Sequence, residues 1–487
     1  MNLASQPLPT DPDALRAFAA SLQAEMIREI AARDAEIYAK TLYIEKIKAQ
    51  LAALRRARFG RSSEKLNLEI EQLELLLGDL EEGDAESTAR RTKVLPAPVG
   101  DDRAAAQPKG RKPLPDHLPR ETVTHEVTCS CPNCGGTVFS KIGEDEREVL
   151  EYVPSHFKVI IHVRPKLSCR GCETILQAPM PSLPIERGRP GPGLIAHVLV
   201  AKYCDHLPLY RQSEIYARDG IDLDRSTLAD WVGNASFLLS PLAEAIARHA
   251  RDGTSLHADD TPVPVLEPGR GKTRTGRLWV LVRDERPWGS SIPPAAFYRY
   301  APDRKTEQAE ALLQGCHGFL HADAYAGFKS LYKPDPAFGT APLVEVACWA
   351  HARRHIFEAH AKTKSPLAQE ALERIAALFA IEKDILGCSP NERRAVRQNR
   401  SLPLLADLKD FLEQALGKIS GKSTLAEAIR YALSRWASLI RYTGNGHLEM
   451  TNNAAERAIR PLALGRKNWL FAGSDTGGCR ATIMIAA

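Results

Sequence analysis

At 487 residues the chain has room for about two to four domains, and 44% hydrophobic with 26% charged residues is the balance of a globular protein. No apolar run reaches the length of a membrane-spanning helix, and MNLASQPLPTDPD lacks a basic-then-apolar leader pattern, so a cytoplasmic protein is expected. A net charge of +5 is too small to mark a nucleic-acid binder by itself, but the arginines cluster, and ten cysteines in such a chain point to metal or free thiols rather than disulfides.

Residues 1–82 read as an N-terminal helical, coiled-coil region, with 1–12 disordered. Ile30, Ile37, Ile44 and Leu51 recur every seven residues, with Ile27 and Ile47 adjoining. A second seam follows at Leu66, Ile70, Leu73, Leu77 and Leu80. Spacings of three and four build a seam for self-association. Between the seams, LRRARFGRSSEKL places Arg55, Arg56, Arg58 and Arg61 at an elbow broken by Gly60, Ser62 and Ser63. The elbow reads either as a DNA-backbone contact or as a solvated hairpin of two helices.

Residues 83–120 form a proline-rich basic linker. Residues 121–180 then carry two paired knuckles, Cys131-x-x-Cys134 and Cys169-x-x-Cys172, joined by alternating strand-like stretches. Four thiolates close a tetrahedral Zn2+ site with no open position, hence a structural one. Cys129 is a substitute ligand, whereas His156 and His162 read as strand residues. Residues 190–250 are helical. A helix over 209–218, a turn at Asp219-Gly220 and a second helix over 226–232 suggest a helix-turn-helix, with Arg225 at the opening of the recognition helix.

From Ser255 the period changes to strands. Three strands, a helix, a fourth strand and a fifth strand running into a helix follow the order of a ribonuclease-H-like fold, assigned to 254–487 with a helical insertion over about 362–448. In that order acids at the ends of the first and fourth strands lie side by side. Here those are Asp259 and Asp323, each in a His-Ala-Asp context, with Asp260 competing for the role of Asp259. Phosphoryl transfer through two divalent cations needs converging carboxylates. Glu456 is the natural third ligand, in a short helix opened by Asn452 or Asn453 and ended or kinked by Pro461. Arg457, Arg460, Arg466 and Lys467 surround it as phosphate contacts, with Trp469 either stacking on a base or filling a core. Cys348-x-x-His351 has half a metal-site spacing and reads as auxiliary, while Arg393, Arg394, Arg397 and Arg400 read as a DNA path or a solvated face.

The set RFGRSSEKL, CPNCGG with CRGC, KYCDHLPLYRQ, HADDTPV, HADAYAGF, CWAHARRHIFEAH and NNAAERAIRPLALGRKNWLFAGSDTGG closely resembles the insertion-sequence-sixty-six family of bacterial transposases, a branch of the Asp-Asp-Glu transposases. The resemblance implies an α+β multidomain protein that cuts and joins double-stranded DNA at element ends and targets. It also implies two Mg2+ or Mn2+ per active site on Asp259, Asp323 and Glu456, structural zinc, a homo-oligomer on the nucleoid and accessory proteins of the same element. Two departures stand out: Asp260 replaces a usual glutamate, and the chain stops at Ala487 inside an apolar run expected to be a helix on the core. The alternative expectation is therefore a truncated, catalytically inactive zinc-containing DNA-binding protein.

Overall fold

The computed structural model describes residues 11–57, 73, 76–83, 85–86, 113–127, 130–154, 156–185, 188–266, 273–323, 325–333, 343–465 and 472–487. The chain divides into two units, Met1–Glu81 and Glu82–Ala487. The first is built on one long helix, α1 (Pro12–Ala57), free of internal Pro or Gly. Ile44, Ile47 and Leu51 are buried at the expected three-and-four spacing; of the second seam Leu77 is buried, with its neighbour Leu76, while Leu73 and Leu80 are half-buried. Lys48 stands 3.5 Å from Glu81. Towards the N-terminus the stripe is open: Met26, Ile27, Tyr38 and Leu42 are exposed. The side chains of Ile30, Ile37, Arg55 and Arg56, and residues Arg58, Arg61, Leu66 and Ile70, lie outside the described residues.

The second unit opens with two buried acids, Glu82 and Glu86, which face the buried Arg480 at 3.3 and 3.8 Å. The segment expected to be linker thus begins inside the core, and Leu114 and Leu118 are buried at its far end. Strand β1 (Arg120–Thr124) pairs in parallel with β3 (His156–Cys169), which forms a long antiparallel hairpin with β2 (Phe139–Val153) and a short pair with β4 (Ile175–Gln177). Three helices follow: α2 (Pro192–Tyr203), α3 (Leu209–Arg218) and α4 (Arg225–Arg251). Gly220 turns the chain between the last two at a φ of +76°, a conformation that favours glycine. The second helix expected over 226–232 runs on instead to Arg251, because Ala235, Ala243, Ala247 and Ala250 extend its buried face.

The remaining sheet has the order β7-β6-β5-β8-β9. Strands β5 (Ser255–Val265), β6 (Arg274–Arg283) and β7 (Ala295–Ala301) pair antiparallel. Strands β8 (Gly318–Ala322) and β9 (Leu343–Ala347) join in parallel beside β5. Helix α5 (Thr306–Leu313) packs into the core formed by Leu256, Trp279, Leu281 and Leu320. Val263, Leu278, Val280 and Tyr298 pack instead with Ala455, Ile459 and Leu462.

After α6 (Trp349–Thr363) come α7 (Pro366–Asp384), α8 (Pro390–Val396), a π-turn at Arg397–Ser401, α9 (Leu402–Lys418), α10 (Thr424–Ser434) and α11 (Trp436–Ile440), sharing one apolar core. Two arginines expected on a DNA path or solvated face are buried within these helices. Arg393 donates to the carbonyls of Gly446, Pro287 and Leu448. Arg397 pairs with Glu382 at 2.8 and 2.6 Å and donates to Tyr442 and Asn445. They anchor the segment that leads into α12 (Asn453–Gly465), which runs through Pro461 rather than ending there. The last helix, α13 (Asp475–Ala486), is capped by Ser474, whose oxygen accepts from the Gly477 N–H at 3.0 Å. It packs on β7 and α4. Gly478 abuts the Tyr300 ring so closely that a Cβ there would stand 2.4 Å from it.

Candidate active site and zinc centre

Asp259 sits near the middle of β5, Asp323 immediately after β8, and Glu456 in the first turn of α12. The charges of the other two reach Asp259. The Asp259 carboxyl is pushed up to about 7 by burial first and then by the charges of Asp323, Asp260 and Glu456, against the pull of the Asp260 N–H that it accepts at 2.8 Å. One Glu456 oxygen is buried with no hydrogen-bond partner among the described residues. Among the described residues, however, the donor atoms that Glu456 shares a 4.8 Å cluster with are those of Cys348 and His351, and the three acids do not form such a cluster.

Asp260 points elsewhere, as strand alternation requires of neighbours. It accepts from Arg277 at 2.9 Å and from Arg304 at 2.7 and 3.0 Å, so its charge is already compensated. Arg304 also lies 3.6 Å from Asp323 and 4.1 Å above the Tyr325 ring. The second oxygen acceptor role of Asp323 is local: it receives the Tyr325 N–H at 3.0 Å, an Asx-type turn that fixes the carboxylate after the strand.

The histidines of the two His-Ala-Asp stretches hold the two strands together, with Asp259 within β5 rather than at its end as expected. His257 and His321 are register partners on β5 and β8 and stack at 4.3 Å, both buried. His321 takes the Glu449 N–H on Nε2 at 3.0 Å, so its proton sits on Nδ1 and is donated to the Leu256 carbonyl, also at 3.0 Å. Burial drives its pKa down to about 4, so it stays neutral. Asn452 performs the remaining joining. Its side-chain amide donates to the Ala258 carbonyl at 2.9 Å, its oxygen faces His257 Nδ1 at 3.2 Å, and its backbone N–H reaches the Cys348 sulfur at 3.2 Å. Its own carbonyl accepts the Glu456 N–H. The side chain expected to cap α12 therefore ties that helix to β5 and to the start of α6. Sequence reading missed this because an asparagine before a helix has an ordinary local role; the repeated His-Ala-Asp was the signal that the two strands share a buried partner.

Cys348 and His351 lie at the entry and in the first turn of α6. Together with Glu456 they place one donor atom each within 4.8 Å of one another. Arg457 is exposed and stands 3.6 Å from Asp284, and Arg460 is exposed one turn on. Arg225 is half-buried at the first position of α4. Arg466, Lys467 and Trp469 lie outside the described residues.

The four knuckle cysteines also converge within 4.8 Å. Cys131 and Cys172 sulfurs are 3.5 Å apart, as are those of Cys134 and Cys169. Zinc–sulfur bonds of about 2.3 Å in a tetrahedron separate sulfurs by about 3.7 Å, so the set fits Zn2+. The knuckle turns are backbone-driven: Cys131 N–H meets the Gly136 carbonyl, Gly135 N–H returns to Cys131, and Glu173 N–H returns to Cys169. Thr174 lowers the Cys172 thiol to about 6 by donating hydrogen bonds to its sulfur, which favours the ligating thiolate. Cys129 lies outside the described residues. No helix among the described residues is long and apolar enough to cross a membrane.

Comparison with known proteins gives the family. A family model described as "Transposase IS66 family" matches residues 187–480. One described as "Transposase C of IS166 homeodomain" matches 46–123, and "zinc-finger binding domain of transposase IS66" matches 128–173, the segment of the four cysteines. The chain is 40% identical over 462 residues to the uncharacterized protein y4hP of Sinorhizobium fredii, covering 92% of this chain and 82% of the relative. It is 36% identical over 490 residues to the uncharacterized protein y4qI of the same organism, covering 97% and 89%. With a zinc-finger segment built round four converging thiols and a long match over the sheet and helices that carry the acids, the chain belongs to the IS66 transposase family.

Proposed function

We propose that this chain is an active DNA transposase: it binds the terminal inverted repeats of its element and catalyses metal-dependent cleavage and strand transfer. The observation that carries the reading is that the charges of Asp323 and Glu456, from distant parts of the sequence, both reach the buried Asp259 carboxyl. The strand order, three antiparallel and two parallel with an acid at the first and fourth, supports a ribonuclease-H-like core. Asp259, Asp323 and Glu456 would hold Mg2+ or Mn2+, two per site. Ions bound there activate an attacking oxygen and stabilise the leaving one.

The chain's own residues set the rest. Asp260 is neutralised by Arg277 and Arg304, so Asp259 is the acid of that pair left for a cation. His257, His321 and Asn452 tie β5, β8 and α12 to one another, which favours an approach of the three carboxylates to common ions. Arg457 and Arg460 hold the DNA backbone next to the cut, with Arg466, Lys467 and Trp469 following on the same stretch. The chemistry is two displacements at phosphorus: water releases a 3′-hydroxyl, which then attacks the target strand, with no covalent enzyme intermediate.

In the proposed organisation residues 1–82 self-associate and 83–120 link. Residues 121–180 bind zinc, 190–250 with Arg225 read the element end, and 254–487 catalyse, including an insertion over about 362–448. Arg55, Arg56, Arg58 and Arg61 add backbone contacts, and the homo-oligomer works on the nucleoid, with accessory proteins of its element as further partners. A strand-transfer assay with labelled element ends tests this. Joined product is expected from the unaltered protein with Mg2+ or Mn2+. Asp259→Asn should bind the ends and yield neither nick nor joint. Joining by that variant, or binding without nicking by the unaltered protein, would overturn the reading.

A further inference from the structure

Cys348, His351 and Glu456 come together from two helix starts. Cys348 ends the turn out of β9, His351 lies one turn into α6, and Glu456 lies in the first turn of α12. Their donor atoms fall within 4.8 Å of one another, with His351 Nδ1 3.7 Å from Glu456 Oε1. Ligands bound tetrahedrally at about 2.0–2.1 Å stand about 3.4 Å apart, so this nitrogen and oxygen need to move only a few tenths of an ångström to share an ion. Both atoms are buried, and neither has a hydrogen-bond partner among the described residues. Leaving such groups unpaired is costly, and one bound cation satisfies both.

The donor types decide which cation. A sulfur, an imidazole nitrogen and a carboxylate suit a borderline metal, whereas Mg2+ takes oxygen ligands and keeps its water. Three protein ligands also leave a fourth position open. We propose that Cys348, His351 and Glu456 form a second metal site, which takes Zn2+ or a cation of its class and is separate from the four-cysteine knuckle. The donor set stands on its own geometry; that it borders the catalytic metals through a shared Glu456 rests on the proposed function above.

The test is metal content of the full-length chain, grown with zinc, desalted and measured by inductively coupled plasma mass spectrometry. About two zinc ions per chain are expected, falling to about one in His351→Gln and in Glu456→Gln, with the circular-dichroism melting curve reporting that each variant folds. One zinc in the unaltered chain, or two retained in a folded variant, would overturn the proposal. Asp259→Asn lies outside the trio and separates the two claims: it should keep both zinc ions while losing strand transfer. Two zinc ions with active Asp259→Asn would sink the catalytic reading alone, and one zinc with inactive Asp259→Asn would sink the metal site alone.

Discussion

Asn452 shows how much a single buried side chain carries here. It is fully buried and touches β5, His257 and Cys348 while its carbonyl starts α12. Asn452→Ala leaves the Ala258 carbonyl and His257 Nδ1 without partners, so a loss on the order of 2–3 kcal/mol is expected in urea unfolding. An unchanged midpoint would show that Asn452 bridges nothing. Asp259 makes a prediction with a sign. Its folded-state pKa is raised to about 7, so the proton it keeps stabilises the fold at low pH, and that stability is lost as pH rises through about 7. Without divalent ions, Asp259→Asn should match the unaltered protein near pH 4 and exceed it near pH 8 by up to about 4 kcal/mol. Thermal melts that differ equally at both pH values would contradict this. The two aspartates stand out in the sequence through the repeated His-Ala-Asp context, although Asp259 lies mid-strand in β5 and not at the strand end expected for it. The choice between Asp259 and Asp260 does not, since alternation says only that they differ; it takes the positions of Arg277 and Arg304, far along the chain, to show which is already paired.

Among the elements, the helical insertion differs most from its sequence. Arginines spaced along NERRAVRQNR look like a solvated or DNA-facing stripe, yet Arg393 and Arg397 point inward and hold carbonyls of the segment before α12. Periodicity could not reveal this, because the partners, Glu382 and residues 442–449, are contributed by other helices and loops. Arg397→Met should leave the half-buried Glu382 with only the more distant Arg393, at 4.0 Å, and the carbonyls of Tyr442 and Asn445 without this donor, costing about 2–3 kcal/mol. It should also loosen the approach to Glu456, which hydrogen exchange across 442–456 would read as faster; unchanged protection there would mean the clamp is not coupled to α12. The strands were easier to read, since alternation and β-branched residues act locally, and the knuckles were legible from paired spacing alone. Helix length was not, as α4 continues to Arg251 on alanines that mark no boundary.

At the scale of the whole molecule, self-association was read from a heptad seam, but Ile44, Ile47 and Leu51 of that seam are already buried. The stripe left open is Ile27, Tyr38 and Leu42 on α1. If residues 1–82 assemble the proposed oligomer, Ile27→Asp with Leu42→Asp should convert it to a monomer by light scattering without lowering the melting temperature of the second unit. An oligomer that persists would place assembly elsewhere. The central claim is that three acids from β5, β8 and α12 serve one set of cations. Mn2+ binding followed by electron paramagnetic resonance, with Mg2+ as competitor, tests it most directly. Asp259→Asn, Asp323→Asn and Glu456→Gln should each lose the same Mg2+-competed Mn2+, and full retention of that ion by any one of the three would contradict the account.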